Sequence, residues 1–365
     1  MLRGWDKYKG EKDISACGLI AFINQDGERC SGEKITQAMT FMRERGNGLG
    51  AGYAAYGIYP EYKDYYALHL MFDTIEAKKH TEEFLYNNFQ IVNSGEIQTK
   101  GIQSIKNSPI HWRYFVEPLQ EVVGNKTEED FVVEKVMEIN KKIDGAFVTS
   151  SGKNMGCFKG VGYPEDIAEF FMLDTYQGHT WMAHSRFPTN SPGWWGGAHP
   201  FNLLDWSIVH NGEISSYGTN KRYLEMFGYE CSLMTDTEVV AYLIDLLVRR
   251  HKLPFEIACS ILAPPFWKRI DVMDERAREL YKTLRVVYAS ALLNGPFAFV
   301  IGHKNGIIGL SDRVKLRPLV AAVDNNTTYI SSEEAAIIGI CPSPERIWHP
   351  KAGEPVIAEI KVPVG

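Results

Sequence analysis

The sequence predicts an α+β protein in which a second, smaller α+β unit interrupts the main one. Three observations lead there. Short apolar runs of strand length recur along the chain, such as GLIAFI (18–23) and FAFVI (297–301). Helical periodicity separates some of them, most clearly over 235–251. Between Lys63 and Ser150 the elements follow the order β-α-β-β-α-β, the ferredoxin-like order.

Residues 18–23 have the length and apolar content of a buried strand. Residues 34–45 carry Ile35, Met39 and Met42 on a helical period and stop at Gly46, a helix-ending residue. GNGLGAG (46–52) has the glycine content of a dinucleotide-binding turn. It follows a helix and precedes a strand (53–59), the reverse of the order such a turn needs, so it reads as a tight glycine turn. Within 63–150 the expected elements are strand 64–72, helix 74–88, strands 89–92 and 111–116, helix 127–143 and strand 146–149. Strands 179–184 and 206–210 follow. The 235–251 helix opens on Thr235 with Glu238 three residues later, the pattern of a capping box. Arg249, Arg250, His251 and Lys252 stand at its negative end, before Pro254. Strands at 297–301, 306–310, 319–323 and 328–330 alternate with turns. No repeat, low-complexity tract or long linker interrupts the series.

Composition narrows the function classes. A chain of 365 residues, 45% hydrophobic and 23% charged, is an ordinary globular protein. It is long enough to bury a core without disulfides or a structural metal. The net charge of -6 gives no footprint for a nucleic acid or an anionic membrane. No two of the cysteines at 17, 30, 157, 231, 259 and 341 lie within four residues, so no CxxC zinc or redox pair exists. They read as reduced thiols, which fits a cytoplasmic protein. Residues 1–16 carry Arg3, Asp6, Lys7, Lys9, Glu11, Lys12 and Asp13 without an apolar run, unlike a secretory signal. The most apolar stretch, 286–302, is broken by Asn294-Gly295-Pro296 and makes a poor membrane span.

Four clusters are dense in polar groups: Ala16-Cys17-Gly18, HSRFPTN (184–190), HNGEI (210–214) and TDTE (235–238). Each alone has a structural explanation. Cys17 could be a packed thiol, Arg186 a surface ion pair, Asn211-Gly212 a hairpin turn and Asp236 a first-turn helix residue. The histidines 184, 199 and 210 could suggest a metal, but they lie on separate segments without a carboxylate at helical spacing. Trp194-Trp195, flanked by glycines, reads either as plain packing or as a mobile aromatic lid.

Together the clusters resemble one family, the class II glutamine amidotransferases, which are N-terminal nucleophile hydrolases. The resemblance covers CGLIAFIN and RERGNGLGAG, then HSRFPTNSPG, AHPF, HNGEI and TDTEVVAYLI, and finally GPFAFVIG, DRVKLRPL and SSEEAA, in the family's order. RFPTN, AHPF and HNGEI look most like the amidotransferase part of glutamate synthases, including stand-alone subunits of the archaeal type. The family implies a four-layer αββα fold. The 63–150 segment departs from the common core and is expected to be an insertion.

The resemblance implies Cys17 as nucleophile, exposed by removal of a 1–16 leader, with Asn211 and Gly212 as oxyanion donors. It implies Arg186 and Thr189 on the α-carboxylate of L-glutamine and Asp236 on its α-ammonium. The residue chemistry fits. A thiol with pKa about 8.5 and a free α-amine with pKa about 7.7–8.0 can serve as nucleophile and base on one residue. That amine exists only if the Ala16–Cys17 bond is cut. A planar guanidinium and a carboxylate suit a zwitterionic substrate.

The expected activity is a glutaminase that feeds ammonia to a separate FMN-containing glutamate synthase subunit, with no cofactor and no metal of its own. Neither a phosphoribosyl-diphosphate signature nor a sugar-isomerase domain is present to name another acceptor. An amidotransferase serving a different acceptor remains open, as does an uncleaved regulatory subunit that binds glutamine. An acylase-type amidase of the same mechanism fits less well, because acyl substrates lack the ammonium that Asp236 would hold. A homo-oligomer is compatible with the sequence, which fixes no oligomeric state.

Overall fold

In a computed structural model the described residues are 17–187 and 193–361. The expected leader, 1–16, and Thr189 lie outside them.

The apolar runs become strands of two stacked antiparallel sheets. The first has seven strands, ordered Arg346–Trp348, Val320–Asp324, Thr327–Ser331, Gly18–Asn24, Thr180–Ser185, Ala51–Tyr56, Met155–Gly160. The second has five, ordered Phe201–Leu203, Trp206–Gly212, Phe297–His303, Gly306–Ser311, Val356–Glu359.

Strand alternation builds the layers. Leu19, Ala21 and Ile23 face Val209, Ala298 and Val300 of the second sheet in one shared core. Ile20 and Phe22 point the other way, onto helices Glu33–Thr40, Pro164–Phe170 and Glu334–Ile340. The outer face of the second sheet, with Ile208, Phe299 and Ile301, is covered by helices Asp236–Ile244 and Phe255–Leu262. The result is four layers, αββα. Strands covered on both faces have no polar side, so they read as continuous apolar runs. Truncating Phe22 to Ala in such a layer costs about 3–5 kcal/mol.

Residues 66–150 form the third large sheet, ordered Phe89–Glu96, Ile110–Pro118, Tyr66–Phe72, Ala146–Ser150. Helices Ile75–Asn88 and Glu128–Lys142 fall between its strands in the β-α-β-β-α-β order. The Thr74 and Thr127 hydroxyls cap these helices, accepting from the Ala77 and Asp130 N–H groups at 3.1 Å each. Leu68, Leu70 and Phe72 face these helices. Ala67 and Phe115 face the opposite way, into the core that contains Tyr53 and Phe158. The sheet therefore lies flat against the four-layer body.

Several elements differ from expectation. The 235–251 helix is α over Asp236–Ile244 and then π over Asp245–Arg250. Arg249 pairs with Asp245 at 2.6 Å and Asp130 at 2.9 Å. The capping box does not form. The Thr235 hydroxyl accepts from Thr237 N–H at 3.3 Å, and the Glu238 carboxylate instead accepts from the Ser232 and Leu233 N–H groups. The chain enters this helix through Met234, in a left-handed conformation (φ 55°), which brings those two N–H groups within reach of Glu238. The 34–45 helix ends at Thr40 and resumes as a 3-10 turn, Arg43–Arg45. In the glycine turn after it, Gly48 and Gly50 adopt positive φ, and the Gly50 carbonyl accepts from Arg186 N–H at 2.8 Å. No helix among the described residues is long and apolar enough to cross a membrane.

Candidate active site

Strand register delivers the first pair of site residues. Gly18 stands opposite Ser185, so Cys17 and Arg186 leave the sheet at the same end. The Cys17 thiol accepts from the Phe187 N–H at 3.2 Å. From the second sheet, the Trp206–Gly212 strand brings Asn211 to the same point, where its side-chain amide donates to the Cys17 carbonyl at 2.5 Å. Gly212 has φ 127°, and an added Cβ would lie 1.9 Å from the Pro296 carbonyl oxygen, so only glycine fits. Asp236 opens its helix and accepts from the Ile214 N–H at 2.9 Å and the Thr237 hydroxyl at 3.3 Å.

Cys17, Arg186, Gly212 and Asp236 line one cavity of about 350 Å3, together with Trp194, Tyr217 and Met234. Burial pushes the Cys17 thiol up, against the opposing pull of the Phe187 N–H and the Arg186 guanidinium. Burial also pushes the Asp236 carboxyl up. His210, the Ile214 N–H and the Thr237 hydroxyl outweigh it and hold the group below the usual carboxylate range. Arg186 is drawn down by burial, yet a guanidinium stays charged in a protein. The cavity thus offers a cation and an anion to one ligand, the arrangement an α-amino acid needs.

The three histidines, remote in sequence, come together. The His184 and His199 ring centroids are 4.0 Å apart, and those of His199 and His210 are 6.4 Å apart. The Thr237 hydroxyl lies 2.9 Å from His199 Nε2 and 3.1 Å from His210 Nδ1. The remaining nitrogens, His199 Nδ1 and His210 Nε2, are buried without a partner. Both His199 and His210 line the cavity, and His210 Nδ1 lies 3.7 Å from the Asp236 carboxylate. Burial holds the His184 imidazole at about 3. Among the described residues, no group of three or more His, Cys, Asp or Glu is placed to hold a metal ion.

Five of the six site residues expected from the sequence meet here, and Thr189 lies outside the described residues. Others were not foreseen. Thr237 joins Asp236 to the histidines. Asp312 gathers the Phe297, Leu316 and Arg317 N–H groups at 3.3, 2.9 and 3.4 Å, shaping the loop whose Arg317 lowers the Cys17 thiol. These residues stand inside the TDTE and DRVKLRPL segments, but nothing in a single sequence separates their supporting roles from ordinary polar positions.

The family Glutamine amidotransferases class-II matches residues 73–234. The chain belongs to the class II glutamine amidotransferases. The matched span includes Arg186, Asn211 and Gly212 but neither Cys17 nor Asp236, whose placement comes from the geometry above. This amidotransferase is 54% identical over 364 residues to an uncharacterized protein of Archaeoglobus fulgidus, covering 99% of this chain and 96% of that one. It is 24% identical over 330 residues to a protein of Methanothermobacter thermautotrophicus provisionally named a glutamine amidotransferase, covering 88% and 92% of the two chains. Among solved structures, the glutamine phosphoribosylpyrophosphate amidotransferase of B. subtilis aligns with 94% of this chain at 15% identity and a TM-score of 0.47. This amidotransferase spans 47% of that chain.

Proposed function

We propose that this amidotransferase hydrolyses L-glutamine to glutamate and ammonia through a thioester on Cys17, after removal of residues 1–16. The supporting observation is the convergence of Cys17, Arg186, Asn211, Gly212 and Asp236 at one cavity. Glutamine enters with its α-carboxylate toward Arg186 and the Thr189 hydroxyl, and its α-ammonium toward Asp236. The Cys17 sulfur attacks the carboxamide carbon, and the thiol proton passes to the Cys17 α-amine. One Asn211 N–H is engaged by the Cys17 carbonyl, and the second, with the Gly212 N–H, is the donor pair for the oxyanion. Collapse of that intermediate returns the proton to the leaving nitrogen and releases ammonia. Water then cleaves the thioester, freeing glutamate and restoring the thiol.

The α-amine takes the role of base because burial raises the Cys17 thiol, and the sulfur's hydrogen-bond partners are the Phe187 backbone groups rather than an imidazole. The acceptor we assign is a separate FMN-containing glutamate synthase subunit, on the likeness of RFPTN, AHPF and HNGEI to that group. Residues 63–150 are read as an insertion that lies against the amidotransferase layers. The direct test is Cys17→Ala. Its glutamine hydrolysis should fall below about a hundredth of wild type, roughly 2.7 kcal/mol in barrier. Activity above that level removes Cys17 as the nucleophile.

A further inference from the structure

The four-stranded sheet reaches the Cys17 cavity through Trp194, with Trp195 docked on the same sheet face. Antiparallel pairing sets His111 opposite Met71 and Met71 opposite Phe147, so these side chains form one row. The row lies on the face turned away from the sheet's helices. Trp195 and Trp194 are docked on its two ends. The Trp195 ring lies 5.2 Å from His111, and the Trp194 ring lies 5.2 Å from Phe147 in an edge-on contact at 65°.

Glycines make this possible. An added Cβ at Gly196 or Gly197 would lie 2.1 or 2.3 Å from the Trp194 indole, and one at Gly160 would lie 2.4 Å from Trp195. The Trp194 indole is therefore folded back on its own chain. The backbone beneath it is fixed, because the buried Lys159 ammonium donates to the Gly196 and Pro200 carbonyls at 3.0 and 3.1 Å. One side of the indole meets Phe147, and the same indole lines the cavity that contains Cys17, Arg186 and Asp236.

We propose that Phe147 is a positioning residue for glutamine hydrolysis, holding the Trp194 indole as a wall of the glutamine cavity. The four-stranded sheet thereby sets glutamine affinity. This rests on the reading of that cavity as the glutamine site. Without Phe147 the indole gains freedom in the empty enzyme, and that freedom is lost again on each binding event. Cys17 and the oxyanion donors are untouched, so binding changes and chemistry does not.

In the full chain, Phe147→Ala should raise the glutamine KM about fivefold, the scale of one aromatic edge pair. The kcat should stay within about twofold. Phe147→Tyr keeps the ring and should keep the KM. Alkylation of Cys17 by a glutamine-shaped chloroketone should slow in Phe147→Ala, while alkylation by iodoacetamide, which needs no such wall, should not. In a Trp194→Ala background, Phe147→Ala should have no further effect on KM, because it acts through the indole. If Phe147→Ala does not fold, Phe147→Leu carries the same comparison. An unchanged KM, equal slowing by both reagents, or additive effects with Trp194→Ala would overturn the proposal. A wild-type protein whose Cys17 is not protected by glutamine would instead overturn the reading of the cavity, and this inference with it.

Discussion

The Asn211 side-chain amide donates to the carbonyl of Cys17 at 2.5 Å, joining the five-stranded sheet to the residue that leads into the seven-stranded one. In the proposed mechanism this contact engages one amide N–H and leaves the other for the oxyanion. Asn211→Ala should lower kcat for glutamine by roughly 100- to 1,000-fold, about 2.7–4 kcal/mol, with little change in KM. Steady-state kinetics check it. A loss confined to KM would move Asn211 from the oxyanion site to plain substrate binding.

If Arg186 and Asp236 clamp glutamine as proposed, the opposite kinetic split is expected. Asp236→Asn and Arg186→Lys should weaken glutamine binding by about 1.5–3 kcal/mol per charged hydrogen bond lost. Asn at 236 keeps an oxygen for the Ile214 N–H, so folding should be little affected. Calorimetric titration beside thermal melts separates the outcomes. A large drop in Tm with unchanged affinity would make these residues structural.

Burial raises the Cys17 thiol, so in protein that retains residues 1–16 the thiolate is scarce at neutral pH. Iodoacetamide labelling of Cys17 should therefore rise about tenfold per pH unit through neutrality, with a midpoint above the ordinary thiol value of about 8.5. Arg186 lowers the same group, so Arg186→Ala should push the midpoint higher still. A midpoint below that of free cysteine would show that Arg186 and the Phe187 N–H outweigh burial.

Processing gives an independent check. A chain starting Met-Cys17, with the methionine removed in the cell, should hydrolyse glutamine without further cleavage. Protein shown by intact mass to retain Met1 should be inactive, because the nitrogen of Cys17 is then an amide. Full activity in the uncut chain would end the N-terminal-nucleophile mechanism here.

Much of this was legible in sequence where local physics and tertiary packing agree. Strands such as Gly18–Asn24 stood out because both faces are buried, and the 63–150 helices because Thr74 and Thr127 cap them. The Met155–Gly160 strand did not, since MGCFKG carries two glycines and a lysine. Each has a tertiary cause. Gly156 makes room for His69, Gly160 for Trp195, and Lys159 binds loop carbonyls. Helix Glu275–Val287 was missed although Ala277, Leu280, Tyr281 and Leu284 recur at helical spacing, and only Leu284 of that face is buried. The site motifs gave Cys17, Arg186, Asn211, Gly212 and Asp236. The meeting of His184, His199 and His210 around Thr237 needed the fold, because no local spacing encodes it.

The last prediction concerns the acceptor. A flavin-binding synthase barrel needs eight parallel strands, each followed by a helix. The strand pairings among the described residues are antiparallel, so no such barrel is built from them. If the glutamate-synthase reading holds, this chain alone should bind no FMN and should not make glutamate from 2-oxoglutarate. It should show weak glutaminase activity that increases when a separate FMN-containing synthase subunit is added. Enclosing the site would keep water from competing and hold ammonia for transfer. Glutamine turnover with and without that subunit, beside co-purification of the two chains, is the measurement. Stimulation with complex formation supports the pairing. Neither one, in a chain that still hydrolyses glutamine through Cys17, leaves the amidotransferase intact and assigns its ammonia to a different acceptor.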